Sequence, residues 1–212
     1  MAIIAENNGQ KREPIPQGNY VARCYQMIEI GTVKEEFEGV SKLARKVRLG
    51  WELPTEQRVF DESKGEQPLV ISGEYTISMH EKSKLRAFLQ SWRGVAFSED
   101  EAKAFDITKL LGVPCMLNII HKVTPNGTYS NIASISPMPK GLVCPAQINP
   151  TFVLSYDAFD YTKFMDLPDF IKSKMEVTPE FKVATISQEA YHDEQEPQNL
   201  VGKDGDDSLP PF

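Results

Sequence analysis

The sequence predicts a mainly β fold: a small five-stranded barrel with one inserted helix, a C-terminal extension and a disordered acidic tail. Three features predict it. Five segments between Asn19 and Ser136 are rich in alternating apolar, β-branched and aromatic residues, one segment between them has helical periodicity, and acids and prolines crowd residues 185–212.

Residues 1–18, with Pro14 and Pro16 among polar neighbours, read as a mobile arm. The first strand follows at 19–31, where Tyr20 to Ile30 is densely apolar. Lys34 to Lys42 is polar, contains Gly39, and reads as a long loop. A second strand covers 43–53, with a turn at Pro54-Thr55-Glu56 and a short extended piece at Val59-Phe60. Gly65 to Pro68 breaks the chain before a third strand at 69–79.

From Glu81 to Trp92 the period changes. Leu85, Phe88, Leu89 and Trp92 fall at i, i+3, i+4 and i+7, which predicts an amphipathic helix with Gly94 as its stop. Ser98-Glu99-Asp100-Glu101 is a capping-box pattern and opens a second short helix through Phe105. A fourth strand at 113–122, the turn Thr124-Pro125-Asn126-Gly127 and a fifth strand from Thr128 to Ser136 complete the series. From about residue 138 the chain reads as an extension over this body, with Pro168 in the first turn of a helix ending near Met175. Residues 19–184 then form one domain and 185–212 the tail.

The order β-β-β-α-β-β is that of the OB-fold, a five-stranded, partly open barrel that binds oligonucleotides on its strand 2–3 face and two flanking loops. On the second strand Val47, Leu49, Trp51 and Leu53 share the core parity, and Lys46 and Arg48 the other. On the first, Ala22, Cys24, Ile28 and Ile30 are assigned to the core, leaving Arg23 and Tyr25 opposite. Arg23, Tyr25, Lys46 and Arg48 would then share one face, combining cations for phosphates with a ring for a base. Lys122 and Tyr129, opposed across the last hairpin, form a second pair of this kind. Trp51 joins the candidates if a bulge in the second strand turns it outward. The competing reading of all these charges is the solvated face of a half-buried sheet.

Composition narrows the classes. The net charge is −7 over 212 residues, but residues 185–212 carry −6 of it and the rest only −1. A near-neutral body can bind phosphate if its bases share a face. Cys24, Cys115 and Cys144 are widely spaced and read as small apolar residues rather than disulfide or zinc ligands. His80, His121 and His192 lack metal-ligand spacing, the glycines form no phosphate loop, and Asp157, Asp160 and Asp166 read as turn and cap residues. No enzyme activity, cofactor or metal is expected. No apolar run reaches the roughly 20 residues of a membrane span, which points to a soluble, cytoplasmic protein.

The last residues, Asp204-Gly205-Asp206-Asp207-Ser208-Leu209-Pro210-Pro211-Phe212, place an aromatic residue after acids and prolines. Here the chain resembles the single-stranded-DNA-binding proteins of bacteria and their phages, whose acidic tails end in an apolar–Pro–Phe tip. Val47-Arg48-Leu49-Gly50-Trp51-Glu52-Leu53-Pro54 and Asn131-Ile132-Ala133-Ser134-Ile135-Ser136-Pro137 are similar to runs in phage replication proteins of that kind. The second proline departs from the bacterial tip. The resemblance implies binding and protection of single-stranded DNA in phage replication and recombination, inside a bacterial host. Asp204, Asp206, Asp207, Leu209, Pro210, Pro211 and Phe212 would recruit replication or recombination enzymes. A protein-interaction or virion-associated module and an OB-containing nuclease or annealing factor are the alternatives. Oligomeric state, base preference and site size have no signature in the sequence.

Overall fold

The computed structural model describes residues 13–37 and 39–193. The strands are β1 (Gly18–Phe37), β2 (Val40–Asp61), β3 (Gly65–Thr76), β4 (Pro114–Thr124), β5 (Gly127–Ser136) and β6 (Phe152–Leu154). The helices are α1 (Lys84–Arg93), α2 (Glu99–Lys103), α3 (Tyr161–Met165), α4 (Asp169–Glu176) and α5 (Pro179–Asp193), with a 3₁₀ turn at Ile107–Leu110. The sheet order is β3-β2-β1-β4-β5, all neighbours antiparallel, and β6 adds to β1 in parallel. The sheet remains open, since β3 and β5 end the ladder without pairing to each other.

The expected strand and helix order is present, with differences in extent. The expected loop at 34–42 is instead the end of a long β1–β2 hairpin, in which Glu35 faces Lys42 and Lys34 faces Leu43. Cross-strand opposite charges hold a polar hairpin that apolar periodicity does not reveal. Pro54 lies within β2, at a register shift between Leu53 and Gln57, so the expected turn is an irregularity in a continuous strand. Ser83 caps α1 by accepting from the Leu85 N–H at 3.2 Å. Gly94 ends that helix at φ 70°, and its N–H donates to Gln90 O at 2.9 Å. The capping box at Ser98 and Glu101 is complete in both directions. Asp160 caps α3 through the Lys163 N–H. The helix expected after Pro168 is α4, with Pro168 at its N-cap.

At its ends the domain exceeds the sequence boundaries. Ile15, within the expected arm, is buried; its N–H donates to Ser130 Oγ at 2.7 Å and its carbonyl meets His121 Nε2 at 2.8 Å. The expected tail begins at 185, but α5 continues to Asp193. The remainder of the tail, with its tip, lies outside the described residues.

One face of the sheet carries the core foreseen from the sequence: Ala22, Cys24, Val47, Leu49, Trp51 and Leu53 against Leu85, Leu89 and Trp92 of α1. Trp51 has no exposed surface and packs at 5.6 Å from Phe88 and 5.7 Å from Trp92 between ring centroids. The opposite face carries a second core. Ile28 and Ile30 pack there against Leu154, Phe164, Leu167, Ile171 and Met175 of the extension. The cause is the register shift in β1 between Cys24 and Gln26, with a second shift following between Glu29 and Gly31. A bulge inserts one residue and flips the parity of those that follow. Ala22 and Cys24 therefore face α1 while Ile28 and Ile30 face the extension, which corrects the single-face assignment of those four.

Three carboxylates fasten the extension to the sheet. Glu52 is fully buried, and its oxygens accept from Ile148 N, Asn149 N and Asn149 Nδ2 at 2.7–2.8 Å. Glu29 binds Arg45 through one oxygen and accepts from the Tyr156 N–H through the other. Glu180 accepts from the Thr32 N–H and hydroxyl. Gly31, at φ 97°, lets Thr178 approach so closely that a Cβ there would lie 2.8 Å from Thr178 Oγ1.

Removing the Glu52 carboxylate takes the acceptor from two backbone donors in part-buried bonds, at about 1–3 kcal/mol each. Glu52→Ala is expected to lower chemical-denaturation stability by about 3 kcal/mol, and Glu52→Gln, which keeps an acceptor, by less. Equal losses in the two variants would assign the effect to side-chain volume.

Candidate functional site

Each predicted contact residue has a definite place. Arg23 donates to the carbonyls of Gly112, Cys144 and Pro145, so its guanidinium tethers the segment before β4 and the extension to β1. Lys46 donates to Thr76 Oγ1 at 2.9 Å and pairs with Glu35 at 2.6 Å. Arg48 donates to Glu74 at 2.9 Å and to Ser72, and its guanidinium carbon lies 5.2 Å from the centre of the Phe170 ring of α4. Tyr25 is the inserted residue of the first bulge and is half-buried. Burial, and after it the Glu52 charge, push its phenol above the usual range, with Arg48 opposing.

Lys46 and Arg48 do share one face of β2, beside Ile28 of β1. Arg48 lies against α4 and Lys46 lines a neighbouring cleft, and each is paired with an acid of the sheet. Trp51 is not on that face: the bulges fall in β1 on one side and beyond Leu53 on the other, so nothing turns Trp51 outward. Its inclusion among contact residues is corrected. The alternation that placed it was sound; what it could not reveal was that both faces of the sheet are covered.

Lys122 and Tyr129 remain exposed. They are directly opposed on β4 and β5, with Val123 beside them. The Tyr129 ring is 52 % exposed, and its hydroxyl donates to Asn126 O at 3.3 Å, which holds it over the turn. Lys122 forms no ion pair with a described residue. A cation next to an upright ring can hold a phosphate while the ring stacks on a base.

A second basic surface escaped the sequence reading. A cleft of about 740 Å³ opens between the β1–β2 hairpin and the β3–α1 turn, and its walls include Lys42, Lys46, His80, Lys82 and Lys84. Glu35, Glu36 and Glu74 also line it, but Glu35 is paired with Lys46 and Glu74 with Arg48 and Lys174. Lys42, Lys82 and Lys84 are exposed and form no ion pair with a described residue. The sequence scattered these lysines over two segments that only the hairpin brings together.

Among the described residues, no group of three or more His, Cys, Asp or Glu side chains is placed to hold a metal ion, and no helix is long and apolar enough to cross a membrane. Cys24 and Cys115 are buried thiols, with burial pushing Cys24 up to about 12. Comparison of the chain with protein-family models, curated proteins and solved structures gave no match.

Glu74 joins the extension to the sheet, since Lys174 of α4 donates to both its oxygens at 2.8 and 2.9 Å. Desolvation raises its pKa, but the bonds and charges of Lys174 and Arg48 outweigh that and leave it below the ordinary carboxylate value. The folded value is thus below the unfolded one. The stabilisation is complete above about pH 4.3 and is lost as pH falls through the lowered folded value. Between pH 5 and 3, Glu74→Gln is expected to lose less of its melting temperature than the parent chain; parallel curves would remove Glu74 as a source of acid sensitivity.

Proposed function

We propose that the chain binds single-stranded DNA without strong sequence preference, as a phage replication and recombination accessory in the bacterial cytoplasm. The supporting observation is the strand order β3-β2-β1-β4-β5 with α1 between β3 and β4, flanked by hairpins that carry exposed cations and a ring. We read this order as an open form of the OB arrangement, in which the loops joining strands one to two and four to five border the oligonucleotide. In this chain the corresponding hairpins are β1–β2, with Lys42 beside the cleft, and β4–β5, with Lys122 and Tyr129.

The outer face of β1 and β2 is taken by the extension, so contact shifts from the sheet centre to its rims. Lys42, Lys82 and Lys84 hold phosphates, and Tyr129 stacks on a base. Arg23 and Arg48 act indirectly, by keeping the extension in place, and Lys46 sits in the wall of the cleft, paired with Glu35. The segment from Asp204 to Phe212 recruits replication or recombination enzymes, its acids steering it to a basic rim.

Fluorescence anisotropy with labelled single- and double-stranded oligonucleotides over a salt series tests the reading. Tyr129→Ala is expected to weaken single-strand binding by about 1–3 kcal/mol, the value of one stacked base. Neutralising Lys42, Lys82 and Lys84 together is expected to flatten the log–log salt slope by roughly 0.7 for each phosphate that is no longer neutralised. Equal affinity for single strands and duplex, or an unchanged slope in the triple variant, would sink the proposal.

Deleting Leu209 to Phe212 is expected to leave oligonucleotide affinity nearly unchanged and to abolish capture of replication or recombination enzymes from a bacterial lysate. Loss of DNA binding with recruitment intact would reassign the segment to the nucleic-acid site.

A further inference from the structure

α4 carries an aromatic ring on its open side. Ile171 and Met175 of this helix are buried in the second core, whereas Phe170 is 53 % exposed. Phe170 and Lys174 fall at i and i+4 and so share one side of the helix. Both reach the sheet at a single cross-strand pair, Arg48 of β2 opposite Glu74 of β3. The Arg48 guanidinium carbon lies 5.2 Å from the centre of the Phe170 ring, and Lys174 donates to both Glu74 oxygens. Arg48 is itself held by Glu74 and Ser72, so the ring rests on a cation fixed in place.

Charge and position connect this ring to the basic cleft. Two cations, Arg48 and Lys174, share the one carboxylate of Glu74, which leaves an excess of positive charge beside the ring. Glu74 lines the cleft, and so does Lys46, two residues from Arg48 on the same face of β2. That spacing is about 7 Å along a strand. Phe170 thus covers the side chain next to the cleft wall, and Lys42, Lys82 and Lys84 of the cleft form no ion pair with a described residue. A single strand offers phosphates to cations and flat faces to rings along one length of chain. A ring with a cation against one face keeps the other for a base, and the cation adds its own attraction.

We propose that Phe170 stacks on a base of the strand whose phosphates enter the cleft, an assignment that rests on the single-strand reading of that cleft. The extension is then a working part of the nucleic-acid site as well as a cover for the sheet. It brings to the cleft the ring that the β1–β2 hairpin and the β3–α1 turn do not themselves expose, much as Tyr129 stands beside Lys122 on the far hairpin.

The test uses the full-length chain with a single-stranded oligothymidylate and a duplex. Trp51 and Trp92, the two native tryptophans, are 0 % and 2 % exposed, so a Phe170→Trp variant carries one indole that a base can reach. Its added fluorescence is expected to be quenched by the oligothymidylate and not by the duplex. Neutralising Lys42, Lys82 and Lys84 in that variant is expected to move the quenching to higher oligonucleotide concentration. Phe170→Leu keeps an apolar cover over Arg48 but has no face to stack. It is expected to bind the oligothymidylate about tenfold more weakly, in the range of one stacked base, with the parent's melting temperature and salt slope. Absent quenching in the tryptophan variant overturns the assignment. So does a flattened salt slope in Phe170→Leu, because the loss would then come from displaced cations. A parent chain that binds no single strand removes the single-strand reading and this assignment together, whereas parent binding that Phe170→Leu leaves intact removes this assignment alone.

Discussion

A buried carboxylate on the wrong side of a strand organises much of this molecule. Glu52 neighbours Trp51 and Leu53, both fully buried in the first core, and so faces the opposite side of the sheet with no exposed surface. A carboxylate in that position is tolerable only if hydrogen bonds replace its hydration. The N–H groups of Ile148 and Asn149 and the Asn149 side chain supply them, so the segment at 148–149 is held where the charge is. β6 pairs with β1 a few residues later, and Tyr156 completes Glu29 in the same manner. Burial of Ile28 and Ile30 supplies the apolar gain, and Glu52 and Glu29 fix the register in which it is taken.

The regular parts were legible because local rules and tertiary context agree there. Leu85, Phe88, Leu89 and Trp92 marked α1, Ser98 and Glu101 marked α2, and the Asn126-Gly127 pair marked the last hairpin. The rest turned on two features that have no periodic signature. Each bulge in β1 changes the face of later residues while leaving composition unaltered, so Ile28 and Ile30 looked like continuations of Ala22 and Cys24. The distal β1–β2 hairpin is polar, so its pairing is invisible to an apolar pattern. β6 and α3 are too short for a period to accumulate.

The candidate site was harder to read for a related reason. A cation on the polar face of a predicted strand is equally fit for a phosphate or an internal carboxylate, and the choice depends on acids distant in sequence. Arg48 meets Glu74, Lys46 meets Glu35, and Arg23 meets backbone carbonyls 121 and 122 residues away. Lys122 and Tyr129 were legible because a tight hairpin fixes their opposition locally. Lys42, Lys82 and Lys84 were missed because their cleft exists only once the long hairpin stands beside the β3–α1 turn.

Covering one face of an open sheet has a consequence for any extended ligand. A half-buried sheet offers its free face as a broad platform, and stacking residues at its centre would dominate the affinity. Here that centre is a dry core, with Ile28, Ile30 and Met175 at 1 % exposure or less. On the proposed reading an oligonucleotide meets the exposed lysines of the cleft and the Lys122–Tyr129 pair, all on the rims of the sheet. Rim contacts are solvated and well separated, so they favour long-range attraction and tolerance of sequence over tight discrimination. On the proposed function, such contacts suit the coating of a strand of arbitrary sequence. The same covering layer brings α3, α4 and α5, so the segment that buries Ile28 and Ile30 also adds a helical surface to a molecule otherwise built mainly from strands.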